Sequence, residues 1–118
     1  GAGTRVELRC PDPAANPYLV LAVCLEAGLD GIRNQITPPD AVTENVFEMQ
    51  LQQRAKLGIE SLPGDLEQAV EELEKDDYIK SVLGGHITEK YLEAKKAEWA
   101  DYRAQVTEWE IEKYLYKI

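Results

Sequence analysis

In 118 residues this chain sets 22 acidic side chains against 13 basic ones, giving a net charge of -9 and a pI near 4.6. A surface of that sign repels phosphate backbones and anionic bilayers, which excludes nucleic acid and membrane surfaces as direct partners. The length suits one domain with a sizeable core, and the longest apolar stretch is interrupted by Glu26 and Asp30, short of the about 18 continuous apolar residues of a membrane span. No charged-then-apolar leader precedes the first element, so the chain reads as soluble and unexported. Cys10 and Cys24 lack CxxC spacing and His86 is the single histidine, so both thiols are expected to be small buried side chains in a reducing cytoplasm.

Residues 4–10 alternate, with Arg5, Glu7 and Arg9 on one side and Val6, Leu8 and Cys10 on the other, which predicts a strand. Pro11-Asp12-Pro13 blocks both ladder pairing and helix propagation and forces a turn. Asn16 is a preferred N-cap and Pro17 a preferred first helical residue. From Tyr18 to Ala27 the side chains are apolar on nearly every face, predicting a helix packed on all sides, with Gly28 and Gly31 bracketing its end. Residues 32–49, with Pro38-Pro39, read as a long loop, followed by a short helical turn from about Gln50 to Leu57 that Gly58 closes.

Asp65 with Gln68 is a capping-box signature, and Leu66, Ala69, Val70 and Leu73 follow at helical spacing to about Lys75. A shorter helix over Asp77–Leu83 is stopped by Gly84-Gly85. The longest pattern runs from about Ile87 to Gln105, placing Ile87, Tyr91, Ala94, Trp99, Tyr102 and Val106 on one broad face. Thr107 with Glu110 repeats the capping box and opens a last helix whose Ile111, Tyr114, Leu115 and Ile118 recur at i, i+3, i+4 and i+7. The fold class expected is α+β: one strand, five helices and the helical turn, in a single partial domain over 1–118. A lone strand cannot satisfy its own backbone groups. Together with the abrupt Gly1-Ala2-Gly3 start, which has no methionine, that predicts a longer polypeptide supplying the rest of an antiparallel sheet.

The charged side of the strand admits two readings. One is a wet, weakly paired strand face. The other is an active-site wall, with Glu7 as a hard oxygen ligand for magnesium or manganese and the two guanidinium groups gripping carboxylate or phosphate in a two-pronged way. The R-x-E-x-R pattern is a weak motif alone. His86 reads as a polar residue at a helix start, and the acidic run from Glu67 to Asp77 as a solvated helix face without the spacing of a calcium loop. Tyr91, Trp99, Tyr102, Trp109, Tyr114 and Tyr116 are expected to be mostly core, while the final Ile111–Ile118 stripe has little of its own domain left to cover.

The continuous string TRVELRCPDPAANPYLVLAVCLEAGLDGI resembles the late core of bacterial type I glutamine synthetases, and the resemblance continues through GIESLP at Gly58–Pro63, EAKKAEW at Glu93–Trp99, Gln105-Val106 and EKYL at Glu112–Leu115. It covers essentially this whole chain but only the C-terminal minority of a family chain. The resemblance implies an ATP-dependent ligation of ammonia to glutamate through a glutamyl phosphate, with divalent metals (magnesium or manganese) bridging the phosphates. It implies that Glu7 is a metal ligand, Arg9 a contact to the substrate glutamate carboxylate and Arg5 a stabiliser of the transferred phosphoryl group. Phosphoryl transfer uses such groups for positioning and charge neutralisation.

The same resemblance implies a cytoplasmic homo-oligomer of two hexameric rings, a dodecamer, in which the terminal helix over 106–118 reaches the opposite ring through Ile111, Leu115 and Ile118. Many relatives carry a tyrosine that is adenylylated after the diproline; here Phe47 stands in its place, so that control is absent. This departure is closer to the low-GC Gram-positive branch, where glutamine feedback and a nitrogen-responsive transcription regulator act instead. Most other parts of the active site are missing from these residues, so the chain alone is expected to be inactive. The competing reading is a non-catalytic helical interaction or oligomerisation module.

Overall fold

A computed structural model describes residues 1–115 and 117, which divide into two units, residues 1–64 and residues 65–118. In the first unit, residues 4–10 form no ladder, and no strand occurs among the described residues. The α+β expectation therefore holds only in its mostly helical part. Alternation marks a chain able to pair, but a strand exists only when a second strand takes up its donors and acceptors, and no described residue does so. The exposed segment leaves Cys10 in solvent instead of buried, and Cys24 only half-buried.

The turn that follows is built on Asp12. Its carbonyl accepts from the Ala15 N–H at 2.9 Å and its Oδ1 from the Ala14 N–H at 2.7 Å, with Pro13 at the turn's second position. Helix α1 then runs Pro17–Arg33, opened by Asn16 Oδ1, which accepts from Tyr18 N and Leu19 N at 3.0 and 3.3 Å. It passes straight through both glycines expected to end it. Its stop lies further on: Ile36 N donates to Gly31 O and Gln35 N to Ile32 O, with Gln35 in the left-handed region at φ 51°. That is a Schellman closure made by glutamine, where a glycine signal was sought.

α1 is not enclosed. Leu21 and Leu25 are 68% and 65% exposed, and no other described element packs against this helix. An apolar circumference expresses what a helix can bury, and burial itself requires an opposing surface. Further along, Asn45 organises a turn by accepting from Phe47 N at 3.2 Å and donating from Nδ2 to Glu48 at 2.8 Å. Helix α2, Leu51–Lys56, closes as predicted at Gly58: φ is +66°, and Ile59 N donates to Arg54 O at 2.9 Å.

The second unit packs three helices: α3 (Leu66–Lys75), α4 (Asp77–Leu83) and α5 (Gly85–Arg103) each contact the other two. Asp65 caps α3 through Gln68 N at 2.9 Å, and Asp76 caps α4 through Ile79 N at 2.9 Å. Gly84 joins α4 to α5 at φ 77°, ψ 156°, a region essentially confined to glycine. Lys80 bonds Asp77 at 2.8 Å and holds that carboxyl below its ordinary range.

Val70 of α3 and Thr88 of α5 are buried, and Thr88 Oγ1 donates to Lys80 O at 3.2 Å across the α4–α5 junction. The inward stripe of α5 is thus Thr88, Leu92, Lys95 and Trp99: Trp99 lies where expected, while Ile87, Tyr91 and Ala94 are exposed and a bonded threonine sits in the stripe. Tyr102, Trp109 and Tyr114 are exposed instead of core, Trp99 stacks on Tyr102 with centroids 5.7 Å apart, and Tyr116 lies outside the described residues.

Thr107 and Glu110 form both bonds of the predicted capping box, at 3.2 Å from Glu110 N and 2.8 Å from Thr107 N. The last helix then departs from expectation. A short α6 (Glu108–Glu110) passes into a π-helical segment, Ile111–Leu115, and Trp109 meets Tyr114 five positions later edge-to-face at 5.8 Å.

Candidate functional site

Residues 5–9 bring the three charges together. Arg9 Nε donates to Glu7 Oε1 at 2.5 Å, and the Arg5 guanidinium lies 3.8 Å from Glu7 Oε2. Both arginines reach the same carboxylate, so the three charged groups meet on one side of residues 5–9. Their side chains are 72%, 48% and 86% exposed for Arg5, Glu7 and Arg9, so each contact is an open ion pair of small energy whose groups remain free to meet a ligand.

Two planar cations flanking one carboxylate can bind an anionic group two-pronged while a single oxygen donor faces the same space. That falls short of a metal site. No group of three or more His, Cys, Asp or Glu gathers among the described residues, so Glu7 offers one ligand where a divalent cation takes about six oxygens, and these residues by themselves do not fit one.

Other predicted positions lie apart from the triad in sequence. Phe47 sits 99% exposed at the Asn45 turn. Ile111 and Leu115 are exposed on the π-helical segment, and Ile118 lies outside the described residues. His86 is exposed on the first turn of α5.

Sequence reasoning missed a groove of about 240 Å³ between α3 and α5, flanked by Glu67, Glu74, Lys96, Trp99 and Arg103. Four of its charges pair with each other: Lys96 bonds Glu74 at 2.5 Å and Arg103 lies 3.8 Å from Glu67. The only advance signal was the acidic run on α3, and its ion pairs to Lys96 and Arg103 fasten two helices together. Asp12 was legible only as part of a proline turn; that two amides converge on it required the backbone path.

The family model described as glutamine synthetase, catalytic domain, matches residues 1–114. Proteins named glutamine synthetase from Clostridium saccharobutylicum and Thermotoga maritima are each 53% identical, over 99% and 98% of this chain, and one from Staphylococcus aureus is 45% identical over 98%. The chain spans about a quarter of the length of these relatives, 26% in each case. Equal identity to the clostridial and Thermotoga proteins means that percentage alone selects no branch. With nearly every residue matched, the chain belongs to the glutamine synthetase catalytic-domain family.

Proposed function

We propose that these residues are the C-terminal portion of a cytoplasmic glutamine synthetase, which joins ammonia to glutamate at the expense of ATP through a glutamyl phosphate. The observation that carries the reading is the convergence of Arg5 and Arg9 on Glu7, within a chain matched to the family from end to end. In this reading residues 4–10 pair with a sheet supplied by the rest of the protein. Arg9 binds the glutamate carboxylate, Arg5 neutralises charge on the transferred phosphoryl group, and Glu7 adds one oxygen to a magnesium or manganese ion whose other ligands come from outside this chain.

The working unit is a homo-oligomer, in which the exposed Ile111 and Leu115, with Ile118, meet another subunit across two hexameric rings. Phe47 offers no hydroxyl for adenylylation, so control falls to glutamine feedback and to a nitrogen-responsive transcription regulator meeting the C-terminal helix. The 118 residues alone make no glutamine, because Glu7 is one carboxylate and no group of metal-holding side chains gathers among the described residues. The test is glutamate- and ammonia-dependent phosphate release, measured on the entire protein that carries this sequence and on the 118 residues separately. Turnover is expected from the first only. A silent entire protein that still assembles would overturn the enzymatic reading in favour of the interaction module, and turnover by the short chain would refute its dependence on the missing parts.

A further inference from the structure

The segment joining Arg9 to α1 is unusually constrained for an exposed stretch. Pro11, Pro13 and Pro17 each fix φ and remove a backbone donor. Two of the remaining amides, Ala14 N and Ala15 N, both end on Asp12, one on the side chain at 2.7 Å and one on the carbonyl at 2.9 Å. Asn16 then takes the first free amides of α1, at Tyr18 and Leu19. Residues 1–10 make no ladder and are exposed throughout, so this doubly clamped turn is the connection that ties the Arg9 backbone to a helix.

We propose that Asp12 is a positioning residue for substrate binding: its side chain closes the turn that sets where Arg9 presents its guanidinium. Asp12 touches no substrate in this account and acts through Arg9, so the inference rests on the assignment of Arg9 to the glutamate carboxylate made above. Aspartate suits the task because it takes the first position of a turn with proline second and its short side chain accepts an amide two residues on. Losing that bond frees the backbone a few residues from the guanidinium, and misplacement by about 1 Å can cost up to about a hundredfold at a reacting centre.

The experiment uses the entire protein and follows steady-state kinetics for glutamate and for ATP. Asp12→Ala should raise KM for glutamate about tenfold while KM for ATP stays within about twofold, and Asp12→Asn, which keeps the accepting oxygen, should restore wild-type behaviour to within about twofold. In an Arg9→Ala background, Asp12→Ala should add little further loss, since the two changes act on one interaction. Should Asp12→Ala fail to assemble, Pro13→Gly loosens the same turn while leaving both Asp12 acceptors, and should raise the glutamate KM in the same direction by a smaller factor.

An unchanged glutamate KM, equal impairment by Asn and Ala, additive losses with Arg9→Ala, or a lowered melting temperature without a selective KM effect would each overturn the proposal. A wild-type protein that makes no glutamine would overturn the functional assignment instead, and is read before any variant.

Discussion

In the first unit the most apolar helix of the molecule, α1, stands largely in solvent, whereas in the second unit α3, with charges along most of its length, buries Val70 against neighbouring helices. The contrast lies in what faces each helix. α3 is strongly amphipathic, and α3, α4 and α5, joined by short connections at Asp76 and Gly84, supply one another's covering surface. α1 is apolar all round, a pattern suited to contacts on several sides, and no other described helix packs against it, although Met49 is buried within the same unit. The first unit carries the groups proposed for chemistry, and the second carries its own packing, so substitutions in the two should fail in different ways.

The largest effect is expected from the triad. In the entire protein, Arg9→Ala or Glu7→Ala should lower kcat/KM for glutamate by about 10²–10³, the scale for removing a preorganised charge-stabilising group. The helical circular-dichroism signal should stay unchanged, because exposed ion pairs contribute little to stability. Equal losses of activity and helical signal would erase the proposed division between the units.

Val70→Ala probes the opposite side of the comparison. It should cost about 2 kcal/mol, close to the transfer free energy of a buried valine side chain. Both tryptophans, Trp99 and Trp109, lie in the second unit, so a urea titration of the 118-residue chain followed by tryptophan fluorescence reads this loss where it occurs. An unchanged midpoint would mean that the three helices are not held by that contact.

Gly84→Ala comes next. No atom lies within 4 Å of an added Cβ, so the penalty is conformational, arising from φ 77° and ψ 156°, and should be about 1.5 kcal/mol in the same titration. Gly58→Ala strains a positive-φ position in the first unit and should leave the tryptophan-detected midpoint where it is.

The smallest expected effect is a pH dependence at the last helix. The Thr107 backbone N–H, and then its hydroxyl, hold the Glu110 carboxyl below the ordinary glutamate range. A lowered folded-state pKa stabilises above the unfolded value and is lost as pH falls through the folded one, so the cap should loosen on acidification and not on alkalinisation. Amide chemical shifts of Thr107 and Glu110 followed by NMR should move together at acid pH and lose that transition in Thr107→Ala. A transition surviving the substitution would assign it to another group.

Local bonding explains which features could be read ahead of the structure. The caps at Asn16, Asp65 and Thr107 and the stop at Gly58 each rest on bonds between residues a few positions apart, so residue type and spacing suffice to place them. The triad was legible for the same reason, since period two puts Arg5, Glu7 and Arg9 on one side in any extended backbone. The end of α1 was not, because Gln35 adopts a left-handed conformation that the usual glycine signal does not announce. Nor was the inward stripe of α5, where Thr88 is buried because the Lys80 carbonyl lies within reach of its hydroxyl. The π-helical winding after Glu110 likewise followed no residue signal.

The sequence by itself thus determined where helices start, which charges share a side, and the family to which the chain belongs, because short-range geometry and residue order carry that information. Only the tertiary structure decided which apolar faces are covered. It left α1 open, enclosed Val70, turned Tyr102 outward and withheld a ladder from residues 4–10. Burial and strand pairing are relations between distant segments, and a residue's own pattern fixes only its capacity to enter them.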